Sequence, residues 1–247
     1  MEELEIVGAP VDGGTGFQPA VTSLAEGILF LDNFLHILMF GILVFATALM
    51  LYAVTRYRRK VNPTPATFTH NTKIEVAWTV VPVFILLFIG AFTLPELFKQ
   101  QVIPKADINI KVTGYQWYWG YEYTDHNFEF DSNMLDREDL ADYGYTDDLY
   151  LLATDTAVVV PVGKTVVMTV TGGDVIHSWK IPAFGVMQDA VPGRLAQLWF
   201  KPEREGVYFG QCSELCGQLH AYMPITVKVV SEEAYEQWLV EAADEFG

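Results

Sequence analysis

Positive charge is scarce in this chain. Its 247 residues hold 15 Lys and Arg against 31 Asp and Glu, for a formal net charge of -16. Nucleic-acid binding needs Lys and Arg against phosphate, so no nucleic acid is expected as a partner and a basic partner is favoured. Cysteine is nearly absent, with two residues in all. No C-x-x-C-H occurs, so no haem attached to this chain is expected. Internal repeats and low-complexity tracts are also missing. The first twenty residues lack a basic stretch followed by an apolar run, so no signal peptide is visible there. Either one has been removed or the first membrane helix serves as the export signal.

Charge of either sign is missing from two long runs, Ile37 to Val54 and Val76 to Leu94. With Ile28 to Leu31 ahead of it, the first run is long enough to cross a hydrocarbon core, which takes about 20 residues. Asp32, Asn33 and His36 stand near its outer end, where an interfacial or packing role is expected of His36. The second run contains Pro82, which membrane helices tolerate, and ends at Pro95. The connecting loop carries Arg56, Arg58, Arg59, Lys60 and Lys73 with no acid before Glu75 at the edge of the second run, and the helix breakers Pro63 and Pro65. Residues 1–27 carry Glu2, Glu3, Glu5, Asp12 and Glu26 with no base. The positive-inside rule therefore places the loop in the cytoplasm and both termini outside. The expected organisation is an extracytoplasmic tail over 1–27, extended over another part of the protein or else disordered, a transmembrane hairpin over 28–98 with helices at about 28–55 and 75–97, and an extracytoplasmic domain over 99–247. Membrane lipid is thus an expected partner, and a hairpin buried in a soluble protein is the alternative.

Beyond Pro104 the hydrophobic period becomes that of strands. Ile108, Ile110 and Val112 alternate with polar residues, and then Tyr115, Trp117, Trp119, Tyr121 and Tyr123 alternate on odd positions. The shift of face across Thr113-Gly114 predicts a β-bulge. Further strands are predicted over 150–153, 157–160, 164–171, 175–181, 195–200, 206–210 and 224–230, separated by Gly and Pro turn signals. Residues 122–148 are acidic and turn-rich, with Arg137 the only base. After Ser231, a good N-cap followed by Glu232 and Glu233, a closing helix is predicted with Tyr235, Trp238, Leu239 and Ala242 as its apolar stripe.

Both cysteines fall in one short stretch, Gln211-Cys212-Ser213-Glu214-Leu215-Cys216-Gly217-Gln218-Leu219-His220-Ala221-Tyr222-Met223. The spacing is C-x3-C-x3-H-x2-M, and His177 lies upstream. Thiolates, imidazoles and a thioether are soft to borderline ligands and favour copper over magnesium, calcium or manganese. A disulfide in an oxidising compartment is one alternative. A Cys2His2 zinc site is another, although a closed zinc site has no use for Met223. One mononuclear blue-copper ion would need a single cysteine. Two cysteines in one loop suit two copper ions that share both sulfurs.

This stretch resembles the binuclear copper A centre of subunit II of cytochrome c oxidases, and the resemblance runs in order along almost the whole chain. It implies that Cys212 and Cys216 bridge two copper ions and that His177 and His220 each cap one. Met223 and the backbone carbonyl of Glu214 would be weak ligands. It also implies that the Glu214 carboxylate binds a magnesium or manganese ion shared with subunit I. The stretch Tyr115-Gln116-Trp117-Tyr118-Trp119-Gly120-Tyr121-Glu122-Tyr123 is similar to the family's aromatic strand, and Trp117 matches its exposed tryptophan that receives the electron. Glu75, three residues before Trp78, matches the entrance of a proton-uptake path into subunit I. The fold implied is a cupredoxin-like Greek-key β-barrel after a two-helix hairpin, with a short C-terminal helix, an α+β membrane protein. Expected partners are oxidase subunits I and III and a cytochrome c docked on the acidic face. The expected location is a bacterial plasma membrane with a periplasmic copper domain, or a mitochondrial inner membrane. Gly173 departs from the family, which often has an acid there. Rival readings are a quinol-oxidase subunit, whose relatives lack the copper ligands, a membrane-tethered copper carrier or chaperone, and a structural subunit stapled by zinc or a disulfide.

Overall fold

The computed structural model describes residues 4–247, so the part of the acidic tail that holds Glu2 and Glu3 lies outside the described residues. The chain forms two compact units. One is Ile28–Phe98, and the other joins the N-terminal segment up to Gly27 with Lys99–Gly247.

The first unit is built on α1 (Ser23–Arg56) and α2 (Thr72–Gln101). Both are long and apolar enough to cross a membrane, with mean hydropathy of 2.5 and 2.3 in their most apolar windows. Each starts earlier than its apolar run because a polar residue caps it. Thr22 Oγ1 accepts a hydrogen bond from the Ala25 amide at 3.0 Å. Asn71 Oδ1 accepts from Lys73 at 3.2 Å, and Glu75 Oε1 accepts from the Asn71 amide at 3.0 Å. These bonds satisfy amides that a helix N-terminus leaves free. Pro82 and Pro95 both lie inside α2, so Pro95 does not end the helix as the sequence suggests. Phe34, Phe88 and Phe92 hold the two helices together, with ring centroids 5.1–5.8 Å apart.

Among the described residues the second unit carries eleven strands in chain order: β1 (Ile6–Gly8), β2 (Ile108–Tyr115), β3 (Tyr118–Tyr123), β4 (Phe128–Ser132), β5 (Val158–Pro161), β6 (Val166–Gly172), β7 (His177–Ile181), β8 (Val186–Ala190), β9 (Ala196–Phe200), β10 (Gly206–Gln211) and β11 (Pro224–Val230), before α3 (Glu232–Phe246). They hydrogen-bond as a sheet of order β1-β10-β11-β5, a sheet of order β4-β3-β2-β6-β9, and the hairpin β7-β8. The ladders thus form three sheets, and one closed barrel ladder is not among them. A main core joins them, with Trp119, Trp179, Tyr121, Tyr123, Phe184, Phe200 and Tyr208 fully buried. Ser231 Oγ caps α3 by accepting from the Ala234 amide, and Tyr235 and Ala242 are buried as the stripe predicts.

Two expectations change. The face shift near Gly114 is not a bulge. Residues 108–123 turn back on themselves, with Tyr115 paired to Tyr118 and Val112 to Tyr121. Partners across this two-residue turn have opposite parity, so an even-numbered inner face continues as an odd-numbered one. Residues 150–153 form no strand and follow a 3-10 turn at Asp147–Leu149. In the described part of the tail, β1 is an extended strand that pairs in parallel with β10, and Arg204 bonds Glu5 at 2.8 Å.

The strand that supplies His177 lies against the strand that leads into the cysteine stretch at one glycine. A methyl group on Gly210 would overlap the Lys180 carbonyl oxygen. Overpacking that forces side-chain and backbone shifts costs typically about 1–3 kcal/mol and occasionally more, and here the group met is main chain rather than the end of a flexible side chain. Gly210→Ala is therefore expected to destabilise the domain by more than ~3 kcal/mol, measured as a loss of thermal midpoint, and a midpoint equal to the unsubstituted chain's would refute this packing.

Candidate metal centre

The cysteine stretch connects β10 to β11, whose last pair is Gln211↔Pro224. Both ends of the loop are therefore fixed beside each other. The loop is also tied to β7, since the Ser213 amide donates to the Ser178 carbonyl at 3.0 Å. At its far end Trp119 Nε1 donates to the Met223 carbonyl at 3.2 Å. β7 begins with His177, which is fully buried.

These ties bring the soft donors together. The sulfurs of Cys212 and Cys216 lie 3.9 Å apart. Cys212 Sγ is 3.9 Å from His177 Nδ1 and 3.4 Å from the Glu214 carbonyl oxygen. Cys216 Sγ is 3.5 Å from both His220 Nδ1 and Met223 Sδ. Donor atoms of His177, Cys212 and Cys216 all lie within 4.8 Å of one another. A disulfide bond is about 2.05 Å long, and both cysteines are free. Metal–thiolate bonds run near 2.3 Å, so sulfurs at this separation can both bind one ion between them. Each sulfur also has further donors on its own flank. A closed four-ligand zinc site leaves Met223 without a part, whereas soft copper uses thioether, imidazole and thiolate together. The donor set fits copper.

The two thiols are not equivalent. Burial works to raise the Cys212 pKa, but His177, the backbone at Ser178 and Glu214, and His220 outweigh it and hold that thiol low. Burial and then the charge of Cys212 push Cys216 up. Burial opposes protonation of His177, yet Cys212 and Asp174 raise it. Asp174 is held low despite burial by bonds from His177 and from the amides of Val175 and Gln116.

The other expected site residues have separate positions. Trp117 lies in the turn between β2 and β3, half-buried. A methyl group on Gly217 would come within 3.1 Å of its ring, so the indole lies directly on the metal loop. Glu214 is exposed, with its carbonyl in the donor cluster. Glu75 is outside the cluster, in the first turn of α2, where its carboxylate caps the helix. At Gly173 a methyl group would meet the Tyr115 ring where it now lies, so a side chain there requires that ring to move. Sequence reasoning missed Gln116, whose Nε2 donates to the Cys216 carbonyl at 2.9 Å. No spacing announced it, since the contact spans about a hundred residues. In the acidic region, Arg137 pairs with Asp147, and Glu122 pairs with Lys111 at 2.6 Å.

The chain is similar to known proteins. Residues 108–230 match the family model for the periplasmic domain of cytochrome C oxidase subunit II, and residues 10–95 match that for its transmembrane domain. The chain is 59% identical over 255 residues to cytochrome c oxidase subunit 2 of Cereibacter sphaeroides, covering 98% of this chain and 84% of that protein. It is 42% identical over 231 residues to cytochrome c oxidase subunit 2 of Arabidopsis thaliana, covering 91% of this chain and 87% of that one. The crystal structure of the periplasmic domain of subunit II of cytochrome oxidase from Bradyrhizobium japonicum is similar at a TM-score of 0.54 and 47% identity, covering 59% of this chain and 100% of that chain.

The unequal thiols give the metal-free site a pH signature. With its pKa raised, Cys216 keeps its proton through neutral pH, and a metal must displace it. Metal affinity should therefore rise with pH across the neutral range, with proton uptake by the buffer on binding. Calorimetry in buffers of different ionisation enthalpy measures the count, and a metal affinity that is flat with pH would contradict it.

Proposed function

The chain belongs to the cytochrome c oxidase subunit II family, and we propose that it receives single electrons from a cytochrome c at a pair of copper ions and passes them to a haem in subunit I. That subunit reduces oxygen and pumps protons. The observation that carries this reading is the convergence of His177, His220 and Met223 on the two free sulfurs of Cys212 and Cys216, 3.9 Å apart. Two coppers sharing both thiolates would supply a one-electron store whose charge change is spread over two ions.

The chain's own residues have distinct tasks in this scheme. Cys212, Cys216, His177, His220 and Met223 hold the metal, with the Glu214 carbonyl as a further donor. Burial of both sulfurs and of His177 keeps water from the site. The β10–β11 ladder limits how far the donors move when the charge changes. Trp117 offers a half-buried ring against the loop, suited to receive the electron from a docked donor. The part of the chain after Phe98 holds 23 acidic and 10 basic residues, which steers a basic cytochrome towards it. The Glu214 carboxylate, exposed and hard, suits a magnesium or manganese ion at the border with subunit I. Glu75 would collect protons at the cytoplasmic edge of α2.

The topology has its own support. The two apolar helices and the transmembrane-domain match make this a membrane protein. The segments before and after the hairpin fold into one unit, through β1 and β10. A chain that crosses between them must cross an even number of times, which agrees with two passes and both termini outside. Of the rivals, a copper carrier would need exchangeable metal, and both sulfurs here are buried.

Copper analysis and electron-spin resonance of the purified complex test the reading. The chain should hold two coppers in a delocalised mixed-valence pair, and a single copper or zinc alone would overturn it. Cys216→Ser should destroy the pair, while Met223→Leu should keep copper and shift its potential.

Function divides further between Trp117 and Glu75. Trp117→Ala should cut electron transfer in the docked complex by orders of magnitude while the salt dependence of docking and the copper spectrum stay unchanged. Flash-triggered reduction over a salt series reads both. Glu75→Gln should slow turnover yet spare copper reduction, and wild-type turnover would return Glu75 to helix capping alone.

A further inference from the structure

Behind the metal donors runs a chain of hydrogen bonds that the proposed function does not use. Asp174 Oδ1 meets His177 Nε2 at 2.9 Å and accepts from the Val175 amide at 2.6 Å. Its Oδ2 accepts from the Gln116 amide at 2.8 Å. The side chain of Gln116 continues the path, and its Nε2 donates to the Cys216 carbonyl at 2.9 Å. Two donors from distant parts of the sequence are thereby joined through the turn that carries Trp117.

Glycines make this path possible. A methyl group on Gly114 would come within 2.9 Å of three atoms of the His177 side chain, so that side chain lies close against bare β2 backbone. A methyl group on Gly217 would come within 3.0 Å of Gln116 Nε2. Trp119 closes another side of the imidazole, with ring centroids 6.0 Å apart. The imidazole is thus bounded by backbone, by an indole and by a carboxylate that two backbone amides hold in place.

We propose that Asp174 and Gln116 are positioning residues, forming one clamp that orients the His177 ring and ties the metal loop to the β2–β3 turn. The inference rests on the reading of the site as a copper centre. Asp174 acts through His177: a carboxylate on Nε2–H leaves Nδ1 free to face Cys212 and strengthens it as a donor. The negative charge behind the ring also favours the more positive, oxidised metal. Gln116 acts through the Cys216 carbonyl and holds the loop against the turn. One clamp thereby sets both the donor geometry and the position of Trp117 over the loop.

The test uses the full chain in the purified complex, with reduction potential, electron-spin spectrum and rate of copper loss to a chelator as readouts. Asp174→Ala should raise the copper potential, alter the spectrum and speed copper loss about tenfold. Asp174→Asn keeps an acceptor without the charge, so its potential should lie between those of Asp174→Ala and the unsubstituted chain. It carries the test alone if the alanine protein does not accumulate. Gln116→Met keeps length but loses the donor, and should speed copper loss while leaving the potential near that of the unsubstituted chain. An unchanged potential and spectrum in the Asp174 variants would overturn the inference, as would unsubstituted copper retention in Gln116→Met. An unsubstituted chain that holds no copper would instead overturn the reading of the site, which keeps the two failures distinct.

Discussion

The antiparallel ladder between β10 and β11 is the constraint on which the rest of this site depends. It pairs without interruption from Gly206↔Val229 to Gln211↔Pro224. The loop between them therefore begins and ends at adjacent backbone positions. Cys212 leaves the ladder at its last pair and Met223 re-enters at the same level, so the two ends of the donor stretch meet without any need for the loop to fold by itself. A ladder of this kind resists shear, which suits a centre that must keep its shape when its charge changes.

Around that ladder the domain recruits distant pieces. Gly210 lets β7 come close enough to place His177 beside the loop, and Ser213 bonds back to Ser178. On the other edge, β1 extends the same sheet with residues that precede the first membrane helix. Leu4, Val7, Val21 and Leu24 join the core there. The acidic region is likewise part of the frame. Leu135, Leu140, Tyr145 and Leu149 form a small second core over Val207 and Phe209 of β10. A stretch that reads as a solvated charge run thus has an apolar underside against the metal-bearing strand.

Sequence patterns failed where a pattern had two geometric causes. The change of face near Gly114 has the same signature in a bulge and in a tight hairpin, and only strand pairing separates them. β4 was readable, since Phe128 and Phe130 alternate with Glu129 and Asp131, but the acid count around it hid the alternation. β8 has buried Val186 and Ala190 at its ends and exposed Met187 and Asp189 between, so no apolar period marks it. β1 is three residues long, and its partner lies some two hundred residues away.

The sequence by itself determined the two apolar helices, the strand-rich domain after them and the set of soft donors, because each depends on residue type and local period. Charge-free runs have to leave water, and C-x3-C-x3-H-x2-M places its donors within one short loop. Tertiary structure decided the rest. It brought His177 to the cysteines, buried both sulfurs, turned Trp117 onto the loop and inserted Gln116 between Asp174 and Cys216. It also gave Gly114 and Gly217 their reasons, which are the His177 ring and the Gln116 and Trp117 side chains that arrive from other segments. These are contacts between segments far apart in the chain, and their geometry is set by strand pairing and close packing, neither of which local composition encodes.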